Sequence, residues 1–334
     1  MTIKDVAARA GVSPALVSAA LGGSSRTVRM SEATRLRVEQ AALETGYRAN
    51  HAAKALRSAR TGVIAAVVPK IANPVFELAI RGIQAAAEEH GDVLLLADST
   101  WIEPGSHLMA RMAGSGMVDG FLVRATEWGS ERSDELSRRG LPFVILQTPV
   151  ADAPTSVWTD DAAGVRLATS HLIGLGHRDI ALVGGVNSPT AARATGYRQA
   201  MDAAGLRVRP GRMQLLGFDP TVIDAAVRDV MSEPRPPTAM VIDNVTAAPG
   251  ALAALLDLGV RVPQDLSLVV FQDLPAADHF RPAPTTVRMP LAEAGRRGYL
   301  TLRKMINGRS GASSLVRRPA PKLIDRGSTA ALRA

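Results

Sequence analysis

The chain has 334 residues, enough for two or three domains. It contains no cysteine, which excludes a disulfide framework and thiolate chemistry. Its net charge of +8 is uneven: residues 1–60 hold ten Lys and Arg against four acidic residues, whereas the rest of the chain holds 29 against 27. A basic end on a nearly neutral body predicts a polyanionic partner for that end alone.

The first residues, MTIKDVAARAGVS, lack the continuous apolar core and the small-residue cleavage site of a secretory signal. The sequence also contains no run of 18 apolar residues that would span a bilayer. We therefore expect a soluble, cytoplasmic protein that makes no membrane contact.

Three short helices are predicted in the first 46 residues. Thr2 and Asp5 fit an N-terminal capping box, and Ser13 followed by Pro14 is a typical start of a second helix. A third helix is expected over 31–45, before a glycine. The tight turn between the first two helices and the basic surface favour an all-α helix-turn-helix domain. A plain three-helix bundle with a solvated basic face is the alternative.

From residue 61 onward, short apolar runs alternate with Ala-rich segments of helical pattern. This alternation predicts parallel sheets flanked by helices, and its two sets predict two doubly wound α/β lobes. The expected strands cover 63–68, 93–97, 120–124, 143–146, 180–183, 239–242 and 268–271, and the expected helices include 77–90, 163–175, 191–204 and 291–306.

Signals of an enzyme are missing from the sequence. The segment GVIAAVVPKIANP has one glycine, so a dinucleotide-binding fingerprint is absent, and no G-x-S-x-G motif occurs. The six histidines lack the spacing of metal ligands, and His177 in LGHRDI is interpreted as a structural turn residue. We expect no catalytic activity, no metal and no cofactor.

Several stretches together resemble the lactose/galactose repressor (LacI/GalR) family of bacterial transcription regulators. They are TIKDVAARAGVSPALVS, SEATRLRVEQAALETGYRANHAAKALRS and TGVIAAVVPKIANPVFELAIRGI, followed by HLIGLGHRDIALVGG, ARATGYRQAM, LLDLGVRVPQDLSLVVFQD and PAPTTVRMP. The resemblance covers essentially the whole chain, and the order and spacing of these stretches are highly specific.

The resemblance implies three parts: a helix-turn-helix DNA-binding domain over 1–46, a hinge over 47–60, and an effector-binding and dimerisation domain over 61–334. The last part would have two lobes like a periplasmic binding protein, with chain crossovers near 158–161 and 287–290. The partners implied are double-stranded DNA with a pseudo-palindromic operator, a small-molecule effector such as a sugar or sugar derivative, and a second copy of the chain.

The DNA-contacting residues are implied in the same way. In the second helix the base-reading positions fall on Pro14, Ala15 and Ala19, where relatives often carry polar side chains. Either these small side chains read thymine methyl groups, or the helix is mainly a rigid spacer whose neighbours hold phosphates. The full set implied to contact DNA is Thr2, Ser13, Pro14, Ala15, Leu16, Ser18, Ala19, Arg29, Asn50, Ala53 and Leu56.

In the hinge, Leu56 matches the side chain that would wedge into the minor groove and kink the duplex. The proline that usually precedes the family asparagine is Ala49 here, before Asn50. The hinge would then supply part of the specificity that the second helix lacks, through the deformability of the central base step.

The effector-binding residues implied by the resemblance are Asn73, Phe76, Asp161, Arg193, Asn244, Gln272 and Asp273. Arg193 would pair with an anion or bridge hydroxyls, and a ring of Phe76 or Trp101 would stack on an apolar face. Sugar-binding relatives typically have an acid where Val245 and Gln272 stand. This departure favours a neutral or anionic effector, an unusual sugar, or the loss of effector control.

The sequence thus predicts a homodimeric, sequence-specific DNA-binding transcription regulator, a repressor gated by a small molecule. Three alternatives remain open: a small-molecule-binding protein without DNA specificity, a largely non-specific DNA binder, and an enzyme that uses the cleft.

Overall fold

The computed structural model describes residues 1–21, 30–47, 60–101, 106–114, 116–124, 129–147, 155–185 and 188–332. Contacts divide the chain into two compact units. The first comprises Met1–Gly62 with Gly116–Val118, and the second comprises Val63–Ser115 with Asp119–Ala334. Most of the predicted hinge, residues 48–59, lies outside the described residues.

The first unit contains the three predicted helices: α1 (Ile3–Ala10), α2 (Pro14–Leu21) and α3 (Glu32–Thr45). The capping signals work as expected. The Thr2 backbone N–H donates to the Asp5 carboxylate at 2.7 Å, and the Ser13 hydroxyl accepts from the Leu16 N–H at 3.2 Å.

A small apolar core joins these helices. Val6 of α1, Val17 of α2 and Val38 of α3 are fully buried and belong to one cluster. Each helix therefore contributes one fixed face to the core, which sets the exposed face of α2.

The second unit contains two six-stranded sheets, one in each lobe. The first lobe has the strand order β11-β5-β4-β3-β1-β2, and the paired strands are all parallel. Its strands are β1 (Val63–Val68), β2 (Val93–Asp98), β3 (Gly120–Arg124), β4 (Phe143–Leu146), β5 (Ser156–Thr159) and β11 (Ser314–Val316), and its helices are α4 (Glu77–Glu89), α5 (His107–Gly114), α6 (Gly129–Arg138) and α11 (Leu291–Ile306).

The second lobe repeats this plan with the order β12-β10-β9-β8-β6-β7, except that β12 runs antiparallel to β10. Its strands are β6 (Ile180–Gly184), β7 (Met213–Leu215), β8 (Ala239–Ile242), β9 (Ser267–Phe271), β10 (Thr285–Arg288) and β12 (Lys322–Ile324), and its helices are α7 (Asp161–Gly174), α8 (Ser188–Ala203), α9 (Pro220–Met231) and α10 (Ala248–Asp257).

The seven predicted strands are confirmed to within one residue at either end. Five further strands, β5, β7, β10, β11 and β12, were not predicted as strands, and each has only three or four residues. Each of them contains at least one polar residue, so it lacks the continuous apolar run that marks the equally short β4 and β8. The helices α5, α6, α9 and α10 were also not predicted.

Within the described residues, the chain passes between the two lobes three times. It leaves β5 at Thr159 for α7, leaves β10 at Arg288 for α11, and passes from β11 to β12 through residues 317–321. Only the first two passages were expected from the sequence. Because β5 and β10 both end at a passage, the carboxyl ends of the two sheets face each other, and we call the space between them the interlobe cleft.

Close helix pairs hold each lobe together. A Cβ added at Gly82 in α4 would lie 1.9 Å from the carbonyl oxygen of Ala292 in α11. A Cβ added at Gly295 in α11 would lie 2.0 Å from the carbonyl oxygen of Ala79. Backbone thus packs directly on backbone at this crossing. Among the helices of the described residues, none is long and apolar enough to cross a membrane.

We expect Gly82→Ala to lower the free energy of unfolding by about 1–3 kcal/mol, because the new methyl group overpacks a rigid carbonyl contact. The matched control is Gly174→Ala in α7, where a Cβ meets nothing within 4 Å. That change should be neutral or raise stability by up to about 1 kcal/mol. Urea unfolding followed by circular dichroism checks both, and equal effects would contradict the packing argument.

Candidate DNA interface and effector cleft

The outward face of α2 carries small neutral side chains. Ser13, Pro14 and Ala15 are exposed, whereas Leu16, Ser18 and Ala19 are half-buried. No acidic residue occurs in the first turn of α2 and no basic residue in its last turn. Thr2 is exposed at the start of α1. The implied DNA contacts Arg29, Asn50, Ala53 and Leu56 lie outside the described residues.

Some of the basic residues of this unit are engaged with acids. Arg9 in α1 bonds to Glu44 in α3 at 2.7 Å, and Arg35 pairs with Glu32 and Glu39 along α3. These exposed pairs are weak, so they can exchange an acid for a phosphate at little cost. The α2 face itself offers shape, hydroxyls and backbone groups rather than charge.

At the interlobe cleft, Arg193 and Asp161 bond to each other. Asp161 lies at the first residue of α7, directly after the passage from β5, and Arg193 lies in α8. The Nε and Nη2 atoms of Arg193 are both 3.0 Å from Oδ2 of Asp161. The hydroxyl of Thr159 donates to Oδ1 of Asp161 at 2.7 Å. The Arg193 side chain is 2% exposed, so this pair is shielded from water.

Asp243, which the sequence analysis did not single out, completes the cluster. Its backbone oxygen accepts from Nη1 of Arg193 at 2.8 Å, and its carboxylate accepts from the Gly185 N–H at 3.3 Å. A Cβ at Gly184 would lie 1.9 Å from this carboxylate. The glycine pair in LVGG was the available signal, because it marks a close approach at the end of a buried strand.

Two phenylalanines surround the guanidinium of Arg193. Its Cζ lies 4.6 Å from the ring centroid of Phe271 and 6.0 Å from that of Phe218. A Cβ at Gly185 would lie 2.2 Å from the Phe218 ring, so glycine is needed there as well. Cation–π contacts of this kind add to the ion pair and keep the guanidinium plane fixed.

Asn73 and Asn244 cap short 3₁₀ turns. The Asn73 side chain accepts from the Val75 N–H at 3.0 Å, and the Asn244 side chain accepts from the Thr246 N–H at 2.9 Å. Phe76, in the turn after Asn73, is buried and lies under the Arg124 guanidinium, with 4.4 Å from Cζ to the ring centroid. The two turns follow the carboxyl ends of β1 and β8, respectively.

Asp273 is engaged with two arginines and a threonine. Its Oδ1 accepts from the Thr286 hydroxyl at 2.7 Å and from Arg326 at 2.9 Å, and its Oδ2 lies 2.7 Å from Arg288. Burial alone would raise the pKa of this carboxyl, but the hydrogen bonds from Thr286, Arg288 and Arg326 hold the pKa below its usual value. The structure thus places Asp273 among β9, β10 and the chain after β12.

Gln272 and Gln147 occupy equivalent places in the two lobes. Gln147 directly follows β4 and Gln272 directly follows β9, and each of these strands is the third in the strand order of its sheet. Both residues have φ of +70°, which non-glycine residues rarely adopt. Nε2 of Gln147 and Oε1 of Gln272 are buried atoms that have no hydrogen-bond partner. Gln147 was not predicted from the sequence.

The histidine in LGHRDI is structural, as interpreted from the sequence. His177 is 3% exposed, and its ring nitrogens lie 2.9 Å from the hydroxyls of Thr238 and Ser267. Burial lowers its pKa. Within the described parts of the chain, no group of three or more His, Asp or Glu residues could hold a metal ion.

We expect Asp273→Asn to lower the free energy of unfolding by about 2 kcal/mol at pH 7, because the charge-assisted hydrogen bonds from the buried Thr286 hydroxyl and the largely buried Arg326 are lost. Because the pKa of Asp273 is lower in the folded than in the unfolded protein, this stabilisation is fully present above the unfolded pKa of about 4. It is lost as the pH falls through the folded pKa. The difference in the free energy of unfolding between wild type and Asp273→Asn should therefore become smaller below about pH 4.

Urea unfolding at several pH values checks this. Asp265→Asn is the control, since the exposed Arg261–Asp265 pair should change stability much less. A gap between wild type and Asp273→Asn that stays constant into the acid range would contradict the role of the carboxylate.

Comparisons with known proteins agree with this architecture. Residues 2–50 match the model of the bacterial regulatory proteins of the lacI family, and residues 169–329 match the periplasmic binding protein-like domain. The HTH-type transcriptional repressor CytR of Escherichia coli (strain K12) is 31% identical over 99% of this chain and 97% of that protein. The HTH-type transcriptional repressor PurR of Serratia proteamaculans (strain 568) is 30% identical over 98% of this chain and 97% of that protein.

Solved structures show the same similarity. The transcriptional regulator CelR in complex with cellobiose superposes with a TM-score of 0.73 and 29% identity over 98% of this chain and 99% of that chain. A LacI family transcriptional regulator from Mycobacterium smegmatis gives a TM-score of 0.71 and 33% identity over 80% of this chain and 99% of that chain.

Proposed function

Because the chain belongs to the lacI family of bacterial regulatory proteins, we propose that it is a homodimeric repressor that binds a pseudo-palindromic operator and responds to a small molecule. The proposal divides the chain into the DNA-binding domain over 1–46, the hinge over 47–60 and the effector-binding domain over 61–334. Such a protein acts where the chromosome is, in the cytoplasm, and needs no catalytic activity.

The observation that carries the DNA-binding proposal is the geometry of the first unit. The buried Val17 turns the opposite face of α2 outward, and that face presents Ser13, Pro14 and Ala15. A second helix held in this way by a small core is the element that enters the major groove in helix-turn-helix proteins. The net +6 charge of residues 1–60 supports attraction to phosphates.

The effector proposal rests on the interlobe cleft. Polar side chains from both sheets gather at their carboxyl ends, which is where ligands bind in open α/β sheets. We propose that Asn73, Phe76, Asp161, Arg193, Asn244, Gln272 and Asp273 line or shape this site. A related regulator is known in complex with cellobiose, which supports a sugar or a related metabolite as the effector.

The dimer proposal rests on α4. One face of α4 borders an open groove of about 500 Å³, and Ile71, Ile80, Arg81, Gln84, Ala85 and Glu88 line part of it. An apolar groove rimmed by charged side chains is typical of a surface that packs against another chain. Two copies would present two α2 helices to two half-sites.

One observation favours a second candidate function, a largely non-specific DNA binder. The exposed positions of α2 carry no side chain able to make a bidentate hydrogen bond to a base. Sequence preference would then depend on thymine methyl contacts and on residues elsewhere in the chain.

Selection of the full-length protein against randomised duplexes at near-physiological salt distinguishes the two functions. A specific dimeric regulator enriches a near-palindrome, whereas a non-specific binder enriches nothing. For the enriched sequence, Ala15→Glu should weaken binding at least tenfold, since it places a carboxylate on the face that approaches the phosphates.

The matched control is Gln40→Glu, which adds the same charge at an exposed position of α3. It should change affinity much less than Ala15→Glu. Equal losses in gel-shift titrations would mean that net charge, rather than the α2 face, governs binding.

For the dimer, we expect Ala85→Arg to shift the protein toward monomers, because a long cation would fill the groove beside α4. Sedimentation velocity measures the change, and affinity for the two-half-site duplex should fall with it. Ala253→Arg is the control, since Ala253 is an equally exposed alanine on α10 in the other lobe. A dimer that survives Ala85→Arg would place the interface elsewhere.

A further inference from the structure

The guanidinium of Arg193, which is buried near the carboxyl ends of the second sheet, is already bonded to other groups of the chain. Two nitrogens of Arg193 bond to Asp161 and a third bonds to the backbone oxygen of Asp243, so each of its three nitrogens has an acceptor from the chain itself. The Asp243 carboxylate adds a second negative group 3.9 Å from Nη1. An anionic ligand would therefore have to approach this buried guanidinium against the negative charges of two carboxylates.

Asp161 is held in this position from several sides. Its Oδ1 accepts from the Thr159 hydroxyl, its Oδ2 receives two nitrogens of Arg193, and the residue is 8% exposed. Because Thr159 ends a strand of the first lobe and Arg193 lies in a helix of the second lobe, the carboxylate also bridges the passage between lobes. A water molecule or a passing salt ion does not replace so many bonds easily.

Two neutral polar atoms at the strand ends have no partner within the chain. Nε2 of Gln147 is a donor and Oε1 of Gln272 is an acceptor, and both are buried without a partner. A buried amide atom without a partner costs free energy, and a ligand that supplies the missing hydrogen bond recovers it. A ligand that offers one hydrogen-bond acceptor and one donor would satisfy both atoms, and an uncharged molecule can supply these two groups.

We propose that Asp161 is a built-in counter-ion that accepts the hydrogen bonds of the Arg193 guanidinium and neutralises its charge. The interlobe cleft is thereby selective for uncharged effectors, which bind the amides of Gln147 and Gln272. This inference rests on the proposed function of the cleft as the effector site. It assigns Asp161 as a positioning residue that sets the charge of the site, and it assigns Gln147 as a second specificity-determining residue beside Gln272.

Sulfate is a suitable probe, since it tests whether the Arg193 guanidinium can bind an anion and does not require the effector to be known. The full-length protein is unfolded thermally in sodium sulfate and in sodium chloride at equal ionic strength. Asp161→Asn keeps the shape of the side chain but removes its charge, so Arg193 becomes able to take the anion. We expect sulfate to raise the midpoint of Asp161→Asn by about 2–4 °C more than that of wild type.

Three controls isolate the site from the basic first unit and from the general effect of sulfate on proteins. Asp160→Asn removes the same charge one residue earlier and keeps a residue that caps α7 well, so its sulfate response should equal that of wild type. The double variant Asp161→Asn with Arg193→Gln replaces the ion pair by two amides, and it should lose the extra response. Thr159→Val removes only the hydroxyl bond to Asp161, and it should gain a smaller response.

The result that would overturn the proposal is a sulfate response of Asp161→Asn that equals that of wild type, or an extra response that persists in the double variant. If Asp161→Asn does not fold, Thr159→Val decides: a response equal to that of wild type then counts against the counter-ion. The assay reads neither DNA binding nor effector binding. A failure of the proposed repressor function, seen as no enrichment of duplexes, is therefore distinguishable from a failure of the counter-ion proposal.

Discussion

The passages of the chain between the two lobes constrain the rest of the second unit. Since β5 and β10 both end where the chain crosses to the other lobe, the carboxyl ends of the two sheets are forced to meet. Buried parallel strands expose few polar groups along their length, so polar chemistry collects where they end. The Arg193–Asp161 pair, the two capped turns after β1 and β8 and the two glutamines all lie at these ends. One topological constraint thus places these polar groups where the two sheets meet.

Burying the Arg193–Asp161 pair is expensive, because both charges give up water. The surroundings offset this cost with specific bonds: the Thr159 hydroxyl on one carboxylate oxygen, the Asp243 backbone oxygen on the guanidinium, and the Phe271 ring against its face. Gly184 and Gly185 are needed in turn, since a side chain at either position would collide with Asp243 or Phe218. The cluster is therefore a structural unit as well as a candidate site, and loss of one member disturbs the others.

The sequence predicted the features that depend on repeated patterns and missed those that depend on single residues. Seven strands and the helices α1 to α4, α7, α8 and α11 follow from apolar periodicity and capping residues. The short strands β5 and β10 precede two of the passages and read SVWT and TTVR, so they lack the continuous apolar run that marks the equally short β4 and β8. Gln147 had no signal, because one polar residue after a strand looks like any loop residue, and Asp243 was marked only indirectly by the glycine pair at the end of β6. The resemblance named Asp161 and Arg193 but could not show that they bond to each other, which depends on the packing of α7 against α8.

Because the described polar groups of the cleft are largely satisfied by one another, an effector does not find an open binding surface. It must offer bonds that the chain lacks, chiefly to Gln147 and Gln272, or exchange its own groups for internal ones. A ligand shifts a conformational equilibrium only by the difference in its affinity for the two states. Gln147 belongs to the first lobe and Gln272 to the second, so a ligand that bonds both gains its full free energy only when the lobes are closed. Two matched glutamines at equivalent strand ends are thus enough to couple binding to closure without any charge on the ligand.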